Sequence, residues 1–142
     1  MSEIEKMRDK LVSELAAYPS KDERFKALVD KGKNMESPQS ELLVDKFLIK
    51  GCVSRAWLIP SYKDGVLHFY GDSEAMIVKG IMAAILEVYS GHSPSDVLAL
   101  DPSFLKEAGV EEALSMNRRS GLANILKQIK IYAATFKALH MQ

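Results

Sequence analysis

The chain has 142 residues, a length suited to one domain, and Lys+Arg and Asp+Glu both count 19, so it carries no net charge. Hydrophobic residues at 47% and charged residues at 27% give a globular balance, which argues against disorder. The even charge argues against general binding to nucleic acid or a membrane surface. One cysteine excludes an internal disulfide and a multi-cysteine metal or iron–sulfur site within one chain, and the histidines at 68, 92 and 140 lack ligand spacing. No apolar run approaches the ~18 residues of a membrane span. The N-terminal stretch MSEIEKMRDK has no apolar signal core, which predicts a cytoplasmic protein.

Ser2 and Glu5 form a capping-box pattern ahead of Ile4, Met7, Leu11 and Leu15, predicting a first helix ended by Pro19. Ser20 and Glu23 repeat the pattern ahead of Phe25, Leu28 and Val29, with Gly32 at the expected C-cap. Residues 33–41 are polar and contain a proline, as a loop would. Then the period changes to two. Residues 45–50, 55–61 and 66–70 are strand candidates; Gly51-Cys52 joins the first two and Lys63-Asp64-Gly65 is a turn signal between the last two. Such short connections predict an antiparallel meander. Helical spacing returns with Asp72 or Ser73 as cap and Met76, Ile77, Ile81, Ile85 and Val88 as the stripe, closed by Gly91. Ser93-Pro94 and Asp101-Pro102 open two short helices. A last helix over 117–138 carries Leu122, Ile125, Leu126, Ile129, Ala133 and Phe136. The expectation is one α+β domain over 1–142, a three-stranded antiparallel sheet packed by N- and C-terminal helices.

Cys52 is the sharpest chemical candidate. It follows Gly51, whose freedom permits an unusual backbone, and a turn can present a thiol to a partner. The plainer alternative is a small buried hydrophobe. Nearby Lys50 and Arg55 would favour the thiolate. Flanking Ile49, Val53, Ala56 and Trp57 predict apolar shelter, which would raise the thiol pKa. Trp57, the only tryptophan, suits a core anchor. His68 alternates with Leu67 and Phe69 and belongs on the exposed sheet face; His92 follows a helix-ending glycine; Asp72 and Glu74 suit a helix N-terminus. Met7, Met35, Met76, Met82 and Met116 suit the core or loops. Arg118 and Arg119 open the last helix, where cations are disfavoured and need a reason. Their side chains diverge by about 100°, so at most one faces the sheet tip. These residues leave open a thiol carrier, a non-catalytic adaptor with a structural Cys52, and a thiol redox sensor.

A resemblance narrows the choice. Ile49-Lys50-Gly51-Cys52-Val53-Ser54-Arg55-Ala56-Trp57 resembles the V-x-G-C-x-S-x-V-W signature of the SufE family of sulfur-acceptor proteins. Glu23-Arg24-Phe25 resembles its E-R-Y segment, and Asp72-Ser73-Glu74-Ala75-Met76-Ile77-Val78-Lys79-Gly80 its D-S-D-A-x-I-V-K-G helix start. Tyr89-Ser90-Gly91-His92-Ser93-Pro94 resembles Y-S-G-x-T-P, and Leu114-Ser115-Met116-Asn117-Arg118-Arg119-Ser120-Gly121-Leu122 resembles L-S-P-S-R-S-N-G-L. The resemblance implies an α+β fold like that of IscU-type scaffolds. It implies a persulfide carrier, not an enzyme, that takes sulfane sulfur from a PLP-dependent cysteine desulfurase of SufS or CsdA type. Cys52 would bear the sulfur, the desulfurase would be stimulated, and the sulfur would pass to a SufBCD-type scaffold for iron–sulfur cluster assembly. No cofactor is implied beyond the covalently carried sulfur. Gly51, Arg55, Glu74 and Arg118 would be supporting or partner-contact positions. The chain departs from the family pattern at Val53, Arg55, Ala56, Glu74 and Met116-Asn117; the CsdE branch also carries an arginine at the position of Arg55.

Overall fold

The computed structural model describes residues 1–140, so the expected domain of 1–142 runs two residues beyond the description. The order of elements is α1 (Glu3–Ala16), α2 (Lys21–Asn34), β1 (Ala56–Lys63), β2 (Val66–Ser73), α3 (Met76–Tyr89), α4 (Pro94–Ala99), α5 (Phe104–Glu107) and α6 (Met116–Leu139). Single 3₁₀ turns lie at Ser40–Leu42, Asp45–Phe47 and Glu111–Ala113.

The fold is α+β as expected, but the sheet has two strands rather than three. The strands β1 and β2 pair antiparallel from Ala56 opposite Ser73 to Lys63 opposite Val66. Asp64 and Gly65, at φ 52° and 81°, supply the two left-handed residues that a tight hairpin of right-twisted strands requires. The third candidate, residues 45–50, contributes only a bridge between Leu48 and Trp57, with Ile49 N–H donating to the Ala56 carbonyl at 2.8 Å. Gly51, at φ 84°, reverses the chain so that Leu48 and Ile49 reach β1; the 3₁₀ turn at Asp45–Phe47 then carries it away. The alternation of Phe47 with Ile49 is genuine, but too few residues lie alongside β1 to continue a ladder.

Helix α3 is the centre. Ile77, Ile81, Met82 and Ile85 are buried on one side and Gly80, Ala83 and Leu86 on the other, as in a helix enclosed by other elements. It lies against β2, α1, α2 and α6. It starts later than expected: Asp72 and Ser73 belong to β2, and the cap position is Ala75, with no side-chain bond. Met76 is therefore 57% exposed instead of joining the stripe. Ser2 and Glu5 do form the full capping box, whereas Ser20 supplies only its own half, accepting from the Glu23 N–H at 3.1 Å. Lys31 ties three helices together, reaching Glu14 at 2.9 Å and Glu87 at 2.8 Å. The Lys130 ammonium closes the C-terminal end of α4, donating to the carbonyls of Val97, Leu98 and Leu100 at 2.6, 3.2 and 2.6 Å.

Gly32 is no C-cap. It lies within α2, buried, where α2 crosses α3 backbone to backbone at Gly80. A Cβ on Gly32 would sit 2.6 Å from the Gly80 nitrogen. In an exposed helix, Gly→Ala gains about 1 kcal/mol. Here the obstacle is main chain, which cannot rotate away, and overpacking costs about 1–3 kcal/mol. Gly32→Ala should therefore destabilise. A urea midpoint at or above that of the parent chain would contradict this crossing.

Candidate functional site

Residues 50–55 form a loop between the Leu48–Ile49 bridge and β1, and Cys52 sits in it, half-buried against the core. One face of α6 supports the loop at three points. Arg118 Nη1 donates to Ser54 Oγ at 3.2 Å. Gly121 lies beneath the thiol: a Cβ there would stand 3.9 Å from Cys52 Sγ. Asn124 Nδ2 donates to the Gly51 carbonyl at 3.1 Å. These residues are spaced three apart, a ridge of neighbours along a helix. The loop runs antiparallel to it, meeting the ridge at 51, 52 and 54 in turn as α6 is descended from 124 to 118.

The other end of the loop is fastened to the exit of β2. The Arg55 guanidinium grips the Glu74 carboxylate with two bonds, Nε to Oε1 at 3.0 Å and Nη2 to Oε2 at 2.7 Å. The Arg55 carbonyl accepts from Glu74 N–H at 3.1 Å and Ser73 Oγ at 2.8 Å. Arg55 also lies over the Trp57 ring, 5.4 Å from its centroid. Trp57 is 7% exposed and buried, as the core reading expects.

Burial pushes the Cys52 thiol above its ordinary pKa, because an apolar environment disfavours the charged thiolate. Shelter comes from the core and from α6, not from Val53, which is 73% exposed. The expected help from Lys50 and Arg55 does not reach the sulfur: burial alone shifts it, and Arg55 is engaged by Glu74. That pairing holds the Glu74 carboxyl below the usual range and raises Arg55.

Four of the five positions singled out in the sequence thus meet around this loop: Gly51, Cys52, Arg55 and Arg118, with Glu74 joining through Arg55. The partner of Arg118 is the Ser54 hydroxyl. Arg119 turns away, as the divergence of neighbouring helical side chains requires, but it donates to the Glu111 carbonyl at 2.8 Å. His68 is exposed, and His92 lies at the chain's return to β2, its carbonyl accepting from Leu67 N–H at 2.8 Å. Asn124 was missed. Its signal was its place six residues after Arg118, on the ridge through Gly121. Among the described residues, no group of three His, Cys, Asp or Glu side chains is arranged to hold a metal ion. No helix there is long and apolar enough to cross a membrane.

Two outcomes follow from this geometry. Iodoacetamide, which reacts with thiolate, should alkylate Cys52 slowly at neutral pH. The rate should rise to a midpoint above the ordinary thiol value of about 8.5; a midpoint at or below that value would contradict the sheltered thiol. Arg118→Ala should speed alkylation of Cys52 by loosening the loop at Ser54. Arg119→Ala should lower the melting temperature through Glu111 yet leave the alkylation rate alone. Equal rates in the two variants would remove the distinction.

Comparison with known proteins identifies the family and supports the fold. The SufE family model, described as an Fe-S metabolism associated domain, matches residues 9–133. The chain is 34% identical over 116 residues to the sulfur acceptor protein CsdE of Escherichia coli K12, covering 80% of this chain and 78% of that one. It is 28% identical over 128 residues to an uncharacterized SufE-like protein of Synechocystis sp., covering 90% and 80%. The solution structure of a hypothetical protein from Thermus thermophilus superposes with a TM-score of 0.77 at 20% identity, covering 91% of this chain and 94% of that one, which supports the fold alone. The match over residues 9–133, together with the CsdE relationship, places the chain in the SufE family.

Proposed function

We propose that this protein is a sulfur acceptor of iron–sulfur metabolism that carries sulfane sulfur as a persulfide on Cys52. The observation that carries the reading is the position of the chain's only thiol, half-buried on a short loop seated on α6 rather than inside a strand or helix. A carrier needs one such thiol. A second cysteine would resolve the persulfide into a disulfide.

The donor is a PLP-dependent cysteine desulfurase of SufS or CsdA type, which cleaves the C–S bond of cysteine and holds the sulfur on its own cysteine. The Cys52 thiolate attacks the outer, sulfane sulfur of that persulfide. A new S–S bond forms on Cys52, the donor's S–S bond breaks, and the donor cysteine leaves as thiolate. Electrons balance without an outside oxidant or reductant. Removing the donor's sulfur frees it for another turnover, so the acceptor stimulates the desulfurase while performing no turnover of its own. The sulfur then passes to a SufBCD-type scaffold, in the cytoplasm. This chain holds no cofactor in the scheme. The raised thiol runs against the peroxide-sensor alternative, since sensors depend on exposed thiols of low pKa.

Intact mass after incubation with a cysteine desulfurase and cysteine should show one added sulfur, lost on reduction. Cys52→Ser should add none and should melt close to the parent chain, because the side chain is nearly isosteric. Full stimulation of the desulfurase by Cys52→Ser would overturn transfer and leave an allosteric adaptor.

A further inference from the structure

We infer that Asn124 is a positioning residue, a latch that holds the Cys52 loop closed on α6 until a partner opens it. The inference rests on the reading of Cys52 as the sulfur-bearing group, but its geometry is independent of that reading.

The Asn124 amide donates to the carbonyl of Gly51, which is one end of the Gly51–Cys52 peptide. That peptide is planar. A bond that fixes its carbonyl also fixes the direction of the Cys52 N–H and limits where the thiol can point. Gly51 has φ 84°, so the chain turns through a left-handed residue immediately before the cysteine. The fit is close: a Cβ on Gly51 would stand 2.6 Å from Asn124 Nδ2 and 3.2 Å from its Cγ. Glycine here therefore serves two ends, the left-handed backbone and the approach of the amide. The sulfur rests over Gly121, one turn earlier on the same ridge. With the latch closed, Cys52 is held against apolar surface and its thiol is pushed up. With the latch open, residues 51–53 are released from α6, while Ser54 and Arg55 remain held by Arg118 and Glu74. Asn124 thus controls the stretch that contains the sulfur, and the other two bonds act as its hinge.

The latch is a single neutral hydrogen bond. Such a bond contributes enough to keep the closed form dominant, and little enough for a docking surface to break it. A ligand that binds only the open form gains affinity in proportion to the open fraction.

The test compares Asn124→Leu and Asn124→Ala with the parent chain, using the protein alone. Leu keeps the branched shape of Asn, at a larger volume, without the donor; Ala removes both shape and donor. The latch predicts that both variants alkylate with iodoacetamide about threefold to tenfold faster than the parent at one pH, the loss expected of one hydrogen bond. It also predicts that the alkylation midpoint falls toward that of a free thiol, and that amide exchange quickens at Cys52 and Val53. Far-UV dichroism establishes that both remain helical. Acceleration by Ala but not Leu would mean that packing, not the bond, closes the loop, and would overturn the proposal. Parent-like rates and midpoints in both variants would overturn it as well. Because no sulfur donor is present, a failure of sulfur acceptance would leave these results standing, and their failure would leave sulfur acceptance untouched.

Discussion

The contact between the 50–55 loop and the 118–121–124 ridge of α6 sets the character of the site. A carrier thiol faces two opposing demands. It must be reachable by large partners, and its persulfide must be kept from stray thiols. A rigid pocket serves the second demand and an exposed tip the first. Here the loop after Gly51 lies on a helix whose own glycine, Gly121, brings the sulfur close to its backbone. The remainder of the fold secures that helix. Ile125, Ile129 and Ala133 bury one side of α6, Lys130 binds it to the end of α4, and Tyr62 and Phe136 stack at 5.6 Å beyond them.

The same geometry explains the thiol's chemistry. A half-buried thiol with a raised pKa holds less thiolate at neutral pH, so the closed loop is the more protected and slower-reacting form. Nucleophilicity of a thiolate rises with its pKa, however, and exchange is fastest when the attacking thiol titrates near the ambient pH. A loop that opens returns Cys52 toward an ordinary thiol without any dedicated base. That fits a site where no cation shifts the sulfur and where the nearest arginines are engaged elsewhere, Arg55 by Glu74 and Arg118 by Ser54. In the proposed scheme, reactivity would come from opening of the loop rather than from a dedicated base.

Much of this was legible in the sequence because local signals and tertiary needs coincide. The Ser2 and Ser93 caps, the Asp64-Gly65 hairpin and the α6 stripe are written in short-range patterns. The failures share a cause. Gly32 looks like a helix stop, yet its purpose lies at Gly80, far along the chain. Residues 45–50 alternate like a strand, but a strand needs a neighbour to pair with along its length, and only Leu48 and Ile49 find one. Met76 fits the apolar spacing of α3, but α3 begins there and its first residue projects to solvent. At the site, Cys52 and Arg118 stood out by residue type and motif. An asparagine at 124 carries no charge and no motif, and only the crossing of loop and helix gives it a role.

Arg55 and Glu74 looked like two separate departures from the family pattern. The structure joins them. The planar guanidinium matches the carboxylate with two bonds. The pair is exposed, so screening by solvent leaves it small weight in overall stability. Its effect is geometric. Arg55 is the last residue of the loop, and its carbonyl already accepts from Glu74 N–H and Ser73 Oγ. Adding the side-chain fork fixes both the backbone and the side chain of one residue to the exit of β2. A loop clamped so firmly at its C-terminal end can move only about that end. Any motion of the loop is then confined to the few residues around Cys52.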